Sequence, residues 1–196
     1  MDEPKMKDAR NAISRRRIDV GKIEWEVKDD FLSPEEFEKT KKIIMGSDLS
    51  WNYSYNVAAA TPEEEAYFMH MFYMGLADKP SYDDDGNMVP PEKSPYYGVI
   101  EPIIEKIPHQ ILMRIKANLY VKTENIVHHP SHVDTVFPSK AAIFYLNTND
   151  GFTVLEDGTE IASVANRILI FDPTEPHHST TCTDNKRRVN ININYL

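Results

Sequence analysis

In the stretch SHVDTVF, His132 and Asp134 set an imidazole and a carboxylate two positions apart. Successive side chains of an extended chain point to opposite faces, so these two project to the same side and converge. An HxD pair is frequent by chance and alone carries little. It gains force from EPHHSTTCTDNKRRVNININYL, where His177 and His178 stand side by side late in the same strand-rich region. Two histidines and one carboxylate leave three adjacent positions open on a metal, the donor set of non-haem Fe(II) oxygen chemistry. His128 and His129, in HHPSHVD, have no carboxylate two residues on, and His129 precedes Pro130, which suits a turn. Both read as loop residues near the mouth of such a site.

An open metal site needs something to fill it. If that is a 2-oxo acid, its keto-acid end chelates the metal and its far carboxylate wants a fixed cation. Arginine suits best, because two parallel N–H groups match a carboxylate. The last strand offers Arg187 and Arg188, and alternation separates them. One face of RRVNININYL carries Arg187, Val189, Ile191, Ile193 and Tyr195, while the other carries Arg188, Asn190, Asn192 and Asn194. The first face suits packing beneath helices. The second suits a ligand-filled interior, since a dry core would leave asparagines unpaired; an exposed edge strand is the alternative. By this parity Arg188 belongs with a ligand, while Arg187, on the other face at the strand's entrance, is expected to reach solvent. The same test puts Lys116, Asn118 and Tyr120 on one face of IKANLYVK, and Ile143, Tyr145 and Asn147 on one face of AAIFYLN. Tyr120 and Tyr145 then serve either as hydroxyl donors to a bound acid or as ordinary core tyrosines.

These residues need a scaffold. From about residue 111 the chain reads as eight short strands with turn residues between them: ILMRIKANLYVKT, SHVDTVF, KAAIFYLNT, GFTVLE, TEIASVA, NRILIFDP, HHSTT and RRVNININYL. That pattern predicts a mainly β protein with flanking helices. The expected fold is a double-stranded β-helix (jelly roll) whose N-terminal helices cover one sheet. Upstream, IEWEVKDDF (23–31) reads as a strand. LSPEEFEKTKKIIMG follows as a helix with Ser33 as N-cap, Pro34 in the first turn and Gly46 as its end. WNYSYNV (51–57) and AYFMHMFYM (66–74) read as strands, a helix from Thr61-Pro62 being the rival for the second. His70 reads as a packed or surface residue. YYGVIEPIIEKI (96–107) reads as a helix kinked at Pro102. Residues 1–20 read as a mobile charged arm and 21–196 as a single domain, its β-barrel core at about 111–196. The 76–95 stretch is dense in Pro, Asp and Gly and reads as a lid-like loop. Asp83-Asp84-Asp85 within it lack the spacing of a calcium loop.

Composition bounds the partners. The 196 residues carry 22 basic and 31 acidic side chains, a formal net charge of −9. That disfavours a broad grip on nucleic acid or on an anionic membrane, and Arg15-Arg16-Arg17 reads as part of a solvated tail. No apolar run approaches a membrane span, and MDEPKMKDAR lacks a signal-type apolar segment. Cys182 is the only cysteine, so no intrachain disulfide forms, which fits a cytoplasmic protein.

Together these residues resemble the Fe(II)/2-oxoglutarate-dependent dioxygenases, the prolyl-4-hydroxylase-like group in particular. DDFLSPEEFEKTKKII is similar to that group's opening segment and RIKANLY to its first barrel strand. HVD, FYLN, the GFTVLEDG turn, NRILIFDP, the PH dipeptide and the final R-plus-strand follow in the family's order. The resemblance implies His132, Asp134 and His177 as Fe(II) ligands, His177 being chosen because it directly follows Pro176. It implies Arg188 and Tyr145 for the 2-oxoglutarate carboxylate, with Tyr120, and Asn118 on the same face, beside it. The chain departs from the pattern by doubling both the histidine and the arginine. The activity implied is hydroxylation of a C–H bond with O2, coupled to decarboxylation of 2-oxoglutarate to succinate. Its substrate would be a small molecule or peptide: peptidyl proline, an amino acid or a metabolite. The alternative is a cupin-type metal-binding jelly roll of other chemistry, which usually adds a third histidine or a glutamate and needs no Arg188.

Overall fold

The computed structural model describes residues 25–54, 66–75 and 92–196. The expected arm, most of the 76–95 loop with Asp83 to Asp85, and the rival helix start at Thr61-Pro62 lie outside these residues. In chain order the elements are β1 (Glu26–Lys28), α1 (Pro34–Ile44), β2 (Asn52–Ser54), β3 (Tyr67–Met74) and β4 (Glu92–Lys93). A single 3-10 turn (Tyr97–Val99) and α2 (Glu101–Ile104) follow. The remaining strands are β5 (Leu112–Val121), β6 (Lys140–Tyr145), β7 (Phe152–Val154), β8 (Glu160–Ala162), β9 (Arg167–Phe171), β10 (His178–Ser179) and β11 (Arg187–Tyr195).

The strands pair antiparallel into two sheets. The larger runs β1-β9-β6-β11-β5-β3-β2, with β4 added on β3, and the smaller runs β10-β7-β8. This is the expected jelly roll. Its apolar core lies under the helices. Phe37 and Ile44 of α1, with Ile100, Ile103, Ile104 and Ile107, pack on Val189, Ile191, Ile193 and Tyr195 of β11 and on Ile115, Ala117 and Leu119 of β5. A second apolar cluster, with Ile143, Leu169, Phe171, Leu155 and Ile161, sits between the two sheets. The odd-numbered face of β11 therefore serves the helices, as its alternation predicts. Among the described residues no helix is long and apolar enough to cross a membrane.

Three expectations are corrected. SHVDTVF forms no regular strand; it touches the sheets through isolated bridges, His132 with His177 and, just before it, His128 with Thr180. Pro130 and Pro138 bracket the stretch and supply no N–H, which limits its ladder. Residues 96–107 are not one kinked helix. The 3-10 turn gives way to α2, whose first turn holds Pro102, a place where no N–H is needed. Arg187 is only partly exposed: its Nη2 donates to the carbonyl of Met45, the C-cap of α1, where a cation also meets the negative end of the helix dipole.

α1 starts on a capping box, Glu36 N–H donating to Ser33 Oγ at 3.3 Å and Ser33 N–H to Glu36 Oε2 at 3.0 Å. The segment before it is tied to the barrel by Asn166. This residue is buried and holds φ 64°, the left-handed region that asparagine tolerates better than most residues. Its Nδ2 donates to Leu32 O at 2.8 Å and its Oδ1 accepts from Leu32 N at 2.9 Å. Asn166→Ala strands both buried groups and is expected to cost about 3 kcal/mol, against about 1 kcal/mol for Ser33→Ala. Urea unfolding of the two variants checks that order, and equal losses would contradict the clamp.

Candidate metal centre

β5 and β11 present their polar faces in register. Tyr120 stands across from Arg188, Asn118 from Asn190, Lys116 from Asn192 and Arg114 from Asn194. Arg114, Lys116, Asn118, Tyr120, Asn190 and Asn192 of this double row form one wall of a cavity of about 510 Å3, which His132, Asp134 and His177 also line. Reciprocal backbone bonds hold the two histidines together: His132 N donates to His177 O at 3.0 Å and His177 N to His132 O at 2.9 Å. Asp134 N is fixed on Pro173 O at 2.9 Å. One ligand atom from each of the three side chains falls within 4.8 Å of the others. His132 Nε2 lies 3.7 Å from Asp134 Oδ1, and His177 Nε2 lies 3.9 Å from Asp134 Oδ2.

The protonation states suit a metal. His132 Nδ1 faces Pro130 O at 3.3 Å and His177 Nδ1 faces Glu175 O at 3.1 Å. A carbonyl only accepts, so each Nδ1 carries the proton and each Nε2 turns a lone pair on the cluster. His177 Nε2 is buried without a hydrogen-bond partner. Burial holds the His177 pKa below the ordinary histidine value, so the ring is neutral at pH 7. The edge of Phe171 backs that ring at 4.7 Å between centroids. Burial pushes the Asp134 carboxyl up, but Arg114, the two histidines and the Asn194 hydrogen bond together hold it below its usual value. Two imidazoles whose Nε2 atoms face an ionised carboxylate fit a divalent first-row ion and leave part of its coordination sphere open.

Asp134 is oriented from behind. Arg114 Nη2 donates to Oδ1 at 3.1 Å and Asn194 Nδ2 to Oδ2 at 2.9 Å, while Arg114 Nε and Nη2 bond Asn194 Oδ1 at 3.2 and 3.0 Å. Sequence reading missed Arg114, although it lies two residues before Lys116 on the face already picked out.

Arg188 is fully buried. Its Nε donates to Ser163 Oγ at 2.7 Å, its Nη1 to Ser179 Oγ and to Thr180 O, and its Nη2 to Thr153 Oγ1 at 3.2 Å. Its guanidinium carbon lies 5.5 Å from the Tyr120 ring centroid and 5.7 Å from that of Tyr145. Among the described residues no carboxylate pairs with it. Burial lowers its pKa, yet a guanidinium stays charged at neutral pH. Burial pushes the Tyr120 hydroxyl up to about 12 and also raises that of Tyr145, which donates to Thr153 Oγ1 at 2.9 Å. Both remain protonated donors. Gly151 makes room for the arginine: a Cβ there would come within 2.6 Å of Arg188 Cδ and would strike the Thr181 carbonyl.

The remaining histidines divide. His178 lines the cavity, with Nε2 3.1 Å from Nδ1 of the exposed His128. His129, expected at the mouth, is instead buried with its ring 4.6 Å from that of Tyr120. His70 is a packed residue, its Nδ1 2.7 Å from Ser50 O and its Nε2 2.8 Å from Ser94 Oγ.

No family model and no curated protein matches the sequence. Solved structures do match in shape. A 2OG-Fe(II) oxygenase family oxidoreductase from Burkholderia pseudomallei superposes with a TM-score of 0.64 at 11% identity, covering 87% of this chain and 84% of that one. A Pseudomonas putida prolyl-4-hydroxylase gives 0.56 at 13%, covering 87% and 91%. The viral collagen prolyl hydroxylase of Paramecium bursaria Chlorella virus-1, solved with 2OG, gives 0.53 at 14%, covering 88% and 96%. The chain has the fold of the 2-oxoglutarate/Fe(II) oxygenases. In this oxygenase fold, the sequence-expected residues gather as one cluster of three, His132, Asp134 and His177, and one cage, Arg188 with Tyr120 and Tyr145.

His129 gives the site a pH signature. Burial, then the Arg188 charge, hold its pKa down to about 3. Below pH 6.5 the unfolded chain takes up a proton that the folded ring refuses. Stability is therefore fully present above that pH and is lost as the pH falls toward about 3, by up to about 1.4 kcal/mol per pH unit. Urea midpoints should fall over this window in the parent protein and fall less steeply in His129→Phe.

Proposed function

We propose that the chain is an Fe(II)- and 2-oxoglutarate-dependent dioxygenase that hydroxylates a C–H bond of a small-molecule or peptide substrate. The observation that carries this reading is the buried Arg188 guanidinium, unpaired with any carboxylate among the described residues and bonded to Thr153 and Ser179, which line the same cavity as the His-Asp-His cluster. A protein gains nothing from such a cation unless an anion meets it, because a buried charge is costly when unpaired. The fold shared with the oxygenases supports the same reading.

In this reading His132, Asp134 and His177 hold the iron, and Arg114 with Asn194 keeps the Asp134 carboxylate aimed at it. Iron bound there would supply the redox chemistry with O2. Arg188 takes the far carboxylate of 2-oxoglutarate, with the Tyr145 and Tyr120 hydroxyls as donors and Asn118 alongside. The neutral tyrosines give hydrogen bonds without opposing the anion. The balance is closed: one oxygen atom of O2 becomes the hydroxyl on the substrate carbon and the other enters succinate as CO2 leaves. Two electrons come from the C–H bond and two from the oxidative decarboxylation.

Anaerobic addition of Fe(II) and 2-oxoglutarate should give the visible charge-transfer band of a chelated keto acid, and Asp134→Ala should lose it. No band in the parent protein would overturn the reading. Gly151→Ala, which pushes a methyl group against Arg188, should weaken 2-oxoglutarate by about 10- to 100-fold, the scale of one charged hydrogen bond. Its iron affinity, read by metal titration, should stay close to that of the parent. Unchanged 2-oxoglutarate binding would place its carboxylate elsewhere.

A further inference from the structure

The cavity wall carries two further cations that are neither metal ligands nor part of the Arg188 cage. Arg114 and Lys116 project from one face of β5, about 6.5 Å apart along the strand, and both line the cavity. Lys116 is steered by Tyr67: its Nζ donates to the Tyr67 hydroxyl at 3.1 Å and lies 5.2 Å from that ring's centroid. Tyr67 is itself stacked on Tyr120. Across from Lys116 on β11 stands Asn192, whose Oδ1 is buried without a hydrogen-bond partner. Ile143 and Val133 add apolar surface to the same cavity.

Among the described residues the cavity's charges do not balance without a ligand. Asp134 is the one carboxylate among the described residues that line the cavity. It offsets Arg114 as the site stands, but metal binding draws on the same charge. With a divalent ion and the 2-oxoglutarate dianion in place, Arg114, Lys116, Arg188 and the ion exceed Asp134 and the dianion by two positive charges. In a partly buried cavity, where charges are screened less than in bulk water, such an excess favours one more anion. An internal peptide residue with a neutral side chain, proline among them, brings no charge there.

Resting on the dioxygenase reading, we propose that the substrate is a small carboxylic acid bearing a hydrogen-bond donor, of the free amino-acid type. Arg114 and Lys116 hold its carboxylate, Asn192 Oδ1 accepts from its donor group, and its aliphatic part lies against Ile143 and Val133 beside the metal.

The test compares two probes, an equimolar pool of free L-amino acids and the matching pool of their carboxamides. Binding is read by saturation-transfer NMR on protein loaded with Zn(II) and 2-oxoglutarate, and turnover by succinate release from the iron form. Members of the acid pool should bind and raise succinate release, with their carboxamides weaker by about tenfold or more. Lys116→Met should cost a bound acid about tenfold, Lys116→Arg should restore most of it, and the 2-oxoglutarate charge-transfer midpoint should move less than about threefold. Equal binding of acids and carboxamides overturns the inference, as does a loaded site that binds neither pool. A shift of the 2-oxoglutarate midpoint in Lys116→Met, with acid binding intact, assigns the lysine to the co-substrate and also overturns it. In these three outcomes the charge-transfer band persists and the oxygenase reading stands. Absence of the band in the parent protein removes that reading and this inference together.

Discussion

The antiparallel register of β5 on β11 sets Tyr120 against Arg188, Asn118 against Asn190, Lys116 against Asn192 and Arg114 against Asn194. A slip of either strand by one residue would turn its polar row under the helices and its apolar row into the cavity. The cost would fall on both sides at once. Ile191 and Ile193, now fully buried with Phe37 and Ile103, would lose their apolar surroundings, and Arg188 would enter a dry core. Core packing and site assembly are thus one constraint, which is why the large sheet can carry so many polar side chains on a single face.

Arg188 shows how the fold tolerates a charge in its interior. Hydroxyls of Ser163, Ser179 and Thr153 and the Thr180 carbonyl accept from its three nitrogens, while the Tyr120 and Tyr145 rings lie beside it. Neutral acceptors satisfy the donors without cancelling the charge. A carboxylate in the cage would make a closed ion pair and leave nothing for a ligand. Gly151 belongs to the same logic, since the absence of a side chain there is what lets the arginine lie against the backbone.

Much of this arrangement was legible in the sequence, for a definite reason. Strand parity is rigid, so Arg188 could be separated from Arg187, and Tyr145 from Phe144, by counting in twos. The jelly roll and the covering helices followed from strand spacing and from the cap at Ser33. What failed depends on tertiary backbone geometry. SHVDTVF has strand-like residues, but its position comes from isolated bonds to His177 and Pro173, which no local pattern encodes. His129 looked like a turn residue before proline, but its N–H donates to Ser179 O and its ring lies against that of Tyr120, contacts that no local pattern encodes. Arg187 found the end of α1, some 140 residues earlier in the chain. Arg114 is different: its parity was readable, and it was missed because the counted window began one residue too late.

The charge distribution gives the two ends of the polar row different tasks. Arg188 is sealed from water, so its attraction for an anion is barely screened, but only a ligand that enters fully can reach it. Arg114 and Lys116 are partly exposed and their pull is weaker per contact, yet they are met first. The protein as a whole is strongly acidic, so its far field repels anions and the positive interior is felt only at short range. Selection therefore falls on the contacts made inside the cavity and not on long-range capture. In the proposed reading the sealed end is kept for the far carboxylate of the co-substrate, and the row's open end is left to whatever lies over Asp134 and Lys116.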